Sequence, residues 1–259
     1  MKYECIFSDI DGTLLNDQHQ ISFKTKAKVN ELTRQGIPFI LVSARMPKGM
    51  KLIQQKLALK TPMICYSGGL IVENDKVLFS EVIDAQTVSE LLDFIAQQSE
   101  VCTTVYYQDC WKVKDIQDPW VKQESQITGI IPEMMKDVKE AHKILCMGES
   151  KEISILEQKL LKCFKNVNVY RSKSTYLEIM SRSVSKAKAI KMICRQYQIP
   201  LDKTVSFGDH HNDIEMLKTT QWGFVMNNAP KEMLDQIKRH TLSNNDDGIV
   251  YALENLIGE

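Results

Sequence analysis

The chain has 259 residues, with 33 basic and 33 acidic side chains and 43% hydrophobic residues. With no net charge there is no summed field to draw in nucleic acid or an anionic membrane surface, so neither is expected as a partner and any phosphate recognition must be local. No run is apolar for long enough to span a bilayer, the opening Met-Lys-Tyr-Glu leaves no room for a signal peptide, and the seven cysteines (5, 65, 102, 110, 146, 163 and 194) hold no C-x-x-C pair. The expectation is a cytoplasmic protein with reduced thiols.

Apolar, strand-like runs alternate with amphipathic segments from the start: strand 3–8, helix 22–35, strand 37–42, helix 47–59 and strand 62–66. Short connections and nearly continuous apolar strands predict parallel β-α-β units covered by helices on both faces. Gly68-Gly69 then leads into a hairpin, 70–73 and 76–80, turning at Asn74-Asp75. From about residue 81 the pattern changes: helix 85–98, strands near 101–107 and 111–114, a shorter helix near 118–126, strand 143–148, helix 150–163, and strands 167–171 and 175–180. Alternation resumes with helix 185–197, strand 203–207, helix 211–218, a short strand 222–226 and two closing helices. The fold class read from this is α/β: a doubly wound, Rossmann-like parallel sheet core (residues 1–81 and 184–259) interrupted by an inserted α+β domain (82–183).

The chemistry gathers at strand ends. "IFSDIDGTLL" places Asp9 and Asp11 one residue apart where the first apolar run gives way to Gly12-Thr13. Ligands of parallel sheets bind at the carboxyl ends of strands. Two mutually repelling carboxylates are tolerable there around a divalent cation, although Asp-Gly is equally ordinary turn chemistry. The end of strand 37–42 supplies Ser43-Ala44-Arg45, a hydroxyl and a guanidinium able to hold a phosphate, or a helix cap and a surface arginine. Ser183-Val184-Ser185-Lys186 opens a helix, whose positive end favours an anion, although a lone lysine is more often solvated. Strand 203–207 exits into Gly208-Asp209-His210-His211-Asn212-Asp213, two acids and an amide that make an expensive cap.

Taken together, and in this order, these segments resemble the motif set of the haloacid dehalogenase superfamily of aspartate-nucleophile phosphohydrolases. "GDHHNDIEML", "FVMNNAP" and "NNDDGI" are similar to its Cof-type branch, whose members carry a large α/β cap between the third core strand and the lysine motif. The resemblance implies that Asp9 attacks phosphorus to form an aspartyl-phosphate, that Asp11 is general acid and then base, and that Lys186 neutralises charge. It implies Mg²⁺ held by a carboxylate oxygen of Asp9, the backbone carbonyl of Asp11 and the side chain of Asp209, with Asp213 a more remote or water-mediated ligand. Gly12, Thr13, Ser43, Ala44 and Arg45 fall to phosphate or substrate binding, and Asn212 to a place against the phosphate or Lys186.

Four positions depart from the branch's usual pattern: Ala44 and Ala187 stand where glycine is common, Ser67 replaces an asparagine, and Asn227 replaces a frequent glycine. They leave the catalytic set complete. His210 and His211 are expected at the site entrance or exposed, since Mg²⁺ prefers oxygen, and His19, His142 and His240 are expected at the surface. In the cap, Tyr106, Trp111, Lys112, Tyr176 and Glu178 are candidates for selecting substrate or for ordinary packing. The implied function is a Mg²⁺-dependent phosphatase, monomer or homodimer, acting on small phosphorylated metabolites such as sugar phosphates, flavin mononucleotide or pyridoxal phosphate. A phosphomutase or phosphotransferase on the same scaffold, and a non-catalytic phospho-ligand-binding protein, remain the alternatives.

Overall fold

The computed structural model of the chain describes residues 3–258. In chain order the elements are β1 (Cys5–Ser8), α1 (Phe23–Arg34), β2 (Phe39–Val42), α2 (Pro47–Lys56), β3 (Met63–Cys65), β4 (Leu70–Glu73), β5 (Lys76–Ser80), α3 (Ala85–Gln98), β6 (Cys102–Tyr107), β7 (Cys110–Val113), α4 (Pro119–Thr128) and β8 (Glu133–Met134). They continue with β9 (Lys143–Met147), α5 (Ser150–Cys163), β10 (Val167–Lys173), β11 (Tyr176–Ser181), α6 (Lys186–Gln196), β12 (Thr204–Gly208), α7 (Ile214–Thr219), β13 (Trp222–Val225), α8 (Lys231–Leu234), β14 (Arg239–His240) and α9 (Gly248–Gly258). Two compact units result. The first takes the chain up to Arg45, Met50–Leu78 and everything from Ser185 onward; the second takes Met46–Gly49 and Phe79–Val184.

The first unit is built on an eight-stranded sheet in the order β14-β13-β12-β1-β2-β3-β4-β5. The six strands from β14 to β3 run parallel, and β4 returns antiparallel beside β3. Ile6, Phe7, Phe39, Ile40, Leu41, Val205 and Phe207 are each at most 1% exposed. Side chains of this kind contribute about 1.5–3 kcal/mol each on burial, which is why the runs read as continuous rather than alternating. From β1 the chain winds outward through β2 and β3, then returns to the other side of β1 for β12, β13 and β14. That reversal sets the exits of β1 and β12 next to each other, with Ser8 paired to Phe207, and opens the crevice where doubly wound folds bind ligands.

Local chemistry explains most element ends. The Ser22 and Ser185 side chains accept the amides of Thr25 and Lys188 and so start α1 and α6. Asn74 and Asp75 both take positive φ, as the two-residue hairpin turn requires. The helix expected over 47–59 stops at Lys56, because Ala58 turns left-handed at φ 52°. The helix expected over 211–218 divides into a tight 3-10 turn, His211–Asp213, followed by α7.

The second unit holds a six-stranded sheet, β10-β11-β9-β6-β7-β8, antiparallel except where β7 meets β8. Val88, Leu91 and Ile95 of α3 and Ile153, Leu156 and Leu160 of α5 pack on Val105, Ile144, Cys146, Leu177 and Ile179 of this sheet. His142 corrects the expectation of a surface position: it is fully buried, because it stands immediately before β9, all five of whose residues are buried. Its Nδ1 accepts the Gln108 amide at 3.1 Å, its Nε2 lies 3.1 Å from Ser80 Oγ, and burial lowers its pKa to about 4. Tyr106, Trp111, Tyr176 and Glu178 are buried as well. Tyr106 stacks on Trp111, and the Tyr176 hydroxyl donates to Glu124. Among the described residues no helix is long and apolar enough to cross a membrane.

Candidate active site

Asp9 follows β1 directly and its amide donates to the Phe207 carbonyl of β12 at 3.0 Å, so the backbone holds it at the sheet reversal. Its carboxylate is 7% exposed as a residue and accepts from Lys186 Nζ at 2.5 Å. The same ammonium donates to Asp213 at 2.5 Å. Lys186 is the first residue of α6, whose residues Ala187, Ala189, Ile190 and Ile193 are buried and, with the lysine itself buried too, fix the start of the helix inside the first unit. The other oxygen of Asp213 accepts the amides of Asp209 and His210 at 3.1 and 3.0 Å. That side chain therefore shapes the turn after β12 as well as pairing with the lysine.

Asp209 is the third carboxylate. One of its oxygens accepts from the Thr13 hydroxyl at 2.6 Å. Gly12 packs over the same group: at φ 78° it occupies the left-handed region, and a Cβ there would lie 2.2 Å from Asp209 Oδ2. Only glycine combines that turn with that approach. The carbonyl of Gly12 is in turn held by the Asn228 side chain at 2.8 Å. Oxygens of Asp9, Asp209 and Asp213 lie within 4.8 Å of one another.

Electrostatics follow from this crowding. Burial, then Asp213 and Asp209, raise the Asp9 pKa well above the carboxylate range, although Lys186 opposes them. Burial and the neighbouring Asp213 raise Asp209 to about 7, against the opposing Thr13 hydrogen bond and Lys186. For Lys186, burial works against the charge, but Asp213 and Asp9 outweigh it and hold the ammonium protonated. With all three carboxylates ionised, one ammonium leaves two negative charges, the charge of one divalent cation. Hard oxygen donors suit Mg²⁺. Asp9 and Asp209 fit as direct ligands, whereas both oxygens of Asp213 are already committed to hydrogen bonds, which fits an orienting role better.

Asp11 stands apart from this cluster. Its carboxylate is clasped by Arg45 in a two-pronged pair, Nε to Oδ2 at 2.7 Å and a terminal nitrogen to Oδ1 at 2.6 Å, with the imidazole of His19 at 3.9 Å. Arg45 descends from the exit of β2 together with Ser43, which is 2% exposed and whose hydroxyl accepts the Arg45 amide at 3.2 Å. Half-buried Ala44 joins them.

The sequence profile of the haloacid dehalogenase-like hydrolases matches residues 6–253. The chain belongs to that family. A Haemophilus influenzae protein whose name gives it provisionally as a phosphatase is 32% identical to this hydrolase over 257 residues, 98% of each chain. Phosphatase YwpJ of Bacillus subtilis is 24% identical, over 96% of this chain and 98% of its own. A solved structure from Thermotoga maritima superposes on the hydrolase with a TM-score of 0.87 at 26% identity, covering 98% of this chain and 97% of that one. A subclass IIB sugar phosphatase superposes at 0.83 with 21% identity over 98% of each chain, a likeness of fold. The hydrolase is thus a phosphatase of the superfamily, acting on phosphoric monoesters.

Within it, Asp9, Thr13, Lys186, Asp209 and Asp213 meet in one hydrogen-bonded cluster, and Ser43, Arg45 and Asp11 in an adjoining one. Asn212 sits half-buried on the turn after β12, and its side chain makes none of the hydrogen bonds that join these clusters. His210 is half-buried and His211 exposed. Sequence reasoning did not single out Asn228 as a site residue. Its Oδ1 accepts the Asn244 amide, and Asn244 donates to the Leu15 carbonyl, so two amides from "FVMNNAP" and "NNDDGI" moor the loop that follows Asp9. The signal was an amide three residues after a buried strand, which reads equally as turn chemistry.

Proposed function

We propose that the chain is a Mg²⁺-dependent phosphomonoesterase of small soluble metabolites that works through an aspartyl-phosphate on Asp9. The observation carrying this reading is Lys186, buried between Asp9 and Asp213, beside a third carboxylate whose charge it cannot neutralise. A pure binding protein has no use for a nucleophile held in this way. Lys186 fixes one oxygen of Asp9 and aims the other at phosphorus. Ser43 and the amides around Gly12 and Thr13 receive phosphoryl oxygens, which is where phosphoryl transfer gains most of its acceleration. Asp11, two residues on, takes the acid–base role: it exchanges its two-pronged pair with Arg45 for the substrate, gives a proton to the leaving oxygen and then takes one from the attacking water. The cation, held by Asp9, the Asp11 carbonyl and Asp209, would supply electrostatic stabilisation of the transferring phosphoryl group.

The test is phosphate release from a panel of phosphorylated metabolites with Mg²⁺ and with excess chelator, sugar phosphates first because one structural neighbour bears that description. Release of free phosphate that stops on chelation and returns with Mg²⁺ is expected. Turnover indifferent to chelator, or an isomerised sugar phosphate in place of free phosphate, overturns the reading.

A further inference from the structure

β3 leaves the sheet through three consecutive residues of positive φ: Tyr66 at 49°, Ser67 at 53° and Gly68 at 104°. Two of the three carry side chains, and both are buried. Such backbone persists only where the surroundings over-determine it, and it gathers at sites whose geometry has to be held. The surroundings here are two parts of the candidate site. On one side the Ser67 amide donates to the Ser43 carbonyl at 2.8 Å, and the Tyr66 amide donates to the Arg45 carbonyl at 3.1 Å. On the other, Gly68 lies against the start of α6, where an added Cβ would come within 2.4 Å of the Ser185 carbonyl oxygen and 3.2 Å of Ala189 Cβ. Ser185 is the N-cap residue directly before Lys186.

We propose that the turn Tyr66–Gly68 is a brace that fixes the phosphate-binding loop Ser43–Arg45 relative to Lys186, with Gly68 as a positioning residue. The missing side chain sets the distance. Any Cβ at Gly68 must move either the first turn of α6, and with it the lysine, or the turn itself, and with it the two amides that hold Ser43 and Arg45. Left-handed backbone is what directs those amides toward the 43–45 loop while bringing Gly68 onto the helix. The kinetic side of the proposal rests on the phosphohydrolase reading.

The experiment compares Gly68→Ala with Gly36→Ala. Gly36 also has positive φ, 83°, but nothing lies within 4 Å of its Cβ position, so it imposes the backbone penalty without the displacement. Misplacement of a catalytic group by about 1 Å can cost about 100-fold. Gly68→Ala is therefore expected to lower kcat at least about tenfold with KM changed far less, while Gly36→Ala keeps wild-type kcat. Amide hydrogen exchange should quicken at 43–46 and at 185–189 together in Gly68→Ala, and at neither in Gly36→Ala. Should Gly68→Ala fail to fold, Ser67→Gly removes the steric cost at φ 53° while loosening the turn. It is expected to raise or keep the melting temperature yet lower kcat and quicken exchange at both segments. Equal kcat in Gly68→Ala and Gly36→Ala, or exchange at one segment without the other, overturns the brace. If the wild type hydrolyses no phosphomonoester, the phosphohydrolase reading falls, and the exchange comparison alone still decides the brace.

Discussion

Asp209→Asn should stabilise the metal-free protein at neutral pH and do so progressively less in acid. Burial and Asp213 raise Asp209 from 3.8 to about 7. Between those values the native state holds a proton that the unfolded chain has released. The stability this proton provides is fully present below pH 4 and is lost as pH rises through 7. A shift of roughly three units at about 1.4 kcal/mol per unit corresponds to about 4 kcal/mol. Asparagine keeps the shape and can still accept from the Thr13 hydroxyl, but it has no proton to lose. The stability difference, variant minus wild type, should therefore grow by about 4 kcal/mol between pH 4 and 7.5. The difference is the quantity to measure, because His142 acts with opposite sign in the same range. Held near 4 against an ordinary 6.5, it is neutral in the native state and contributes stability that rises with pH. Its contribution is common to both proteins and cancels. Urea unfolding in excess chelator, followed by fluorescence, reads the difference; Trp222 of β13 reports on the first unit, while Trp111 and Trp120 report on the second. A difference that stays flat across this range would refute the argument that Asp209 carries uncompensated charge. Mg²⁺ at about 100 times its Kd should then return about 2.7 kcal/mol to the wild type at pH 7.5, and much less to Asp209→Asn.

Asp9→Asn should abolish phosphate release while leaving circular dichroism and melting at least as good as wild type, since it removes one of three crowded carboxylates; near-normal turnover would exclude the covalent route. Gly12→Ala is expected to lower kcat and weaken Mg²⁺ binding at least tenfold, about 1.4 kcal/mol, because its Cβ meets Asp209 Oδ2; metal titration by calorimetry and steady-state kinetics check both. His142→Leu should erase the stability gained between pH 4 and 6.5, worth roughly 3 kcal/mol, and remove the ring nitrogen that accepts the Gln108 amide; pH-dependent urea midpoints that match wild type would contradict it.

Much of the architecture was open to reading because strand burial, helix periodicity and turn chemistry agreed with one another. Helices 85–98 and 150–163 have the expected ends: both are amphipathic runs, and the Asp84 side chain caps the first by accepting the Thr87 amide. The hairpin turn falls at Asn74-Asp75, where two residues tolerate positive φ. The carboxylates could be found because acids directly after buried apolar runs have few structural uses. What stayed hidden depends on long-range contact. His142 looked like a surface residue because one position beside a strand says nothing about what covers it. Tyr66 and Ser67 give no sign in sequence of left-handed backbone, a conformation that tertiary hydrogen bonds impose on them. The Arg45 and Asp11 pair joins two strand exits 34 positions apart, and neither residue alone announces its partner.

The central place of β1 also governs when the enzyme can exist during synthesis. Asp9 is made 177 residues before Lys186, the lysine that holds it, and Asp209 and Asp213 follow later still. At about 5–20 residues per second, the gap is about ten to forty seconds, through which β1 waits for β12, its neighbour on one side. Within that interval the ribosome produces the whole stretch from Phe79 to Val184, which makes up nearly all of the second unit. Assembly of the crevice thus waits until nearly all of the second unit has been made. A product that stops before Lys186, however well its earlier parts have folded, lacks the ammonium and two of the three carboxylates of the cluster.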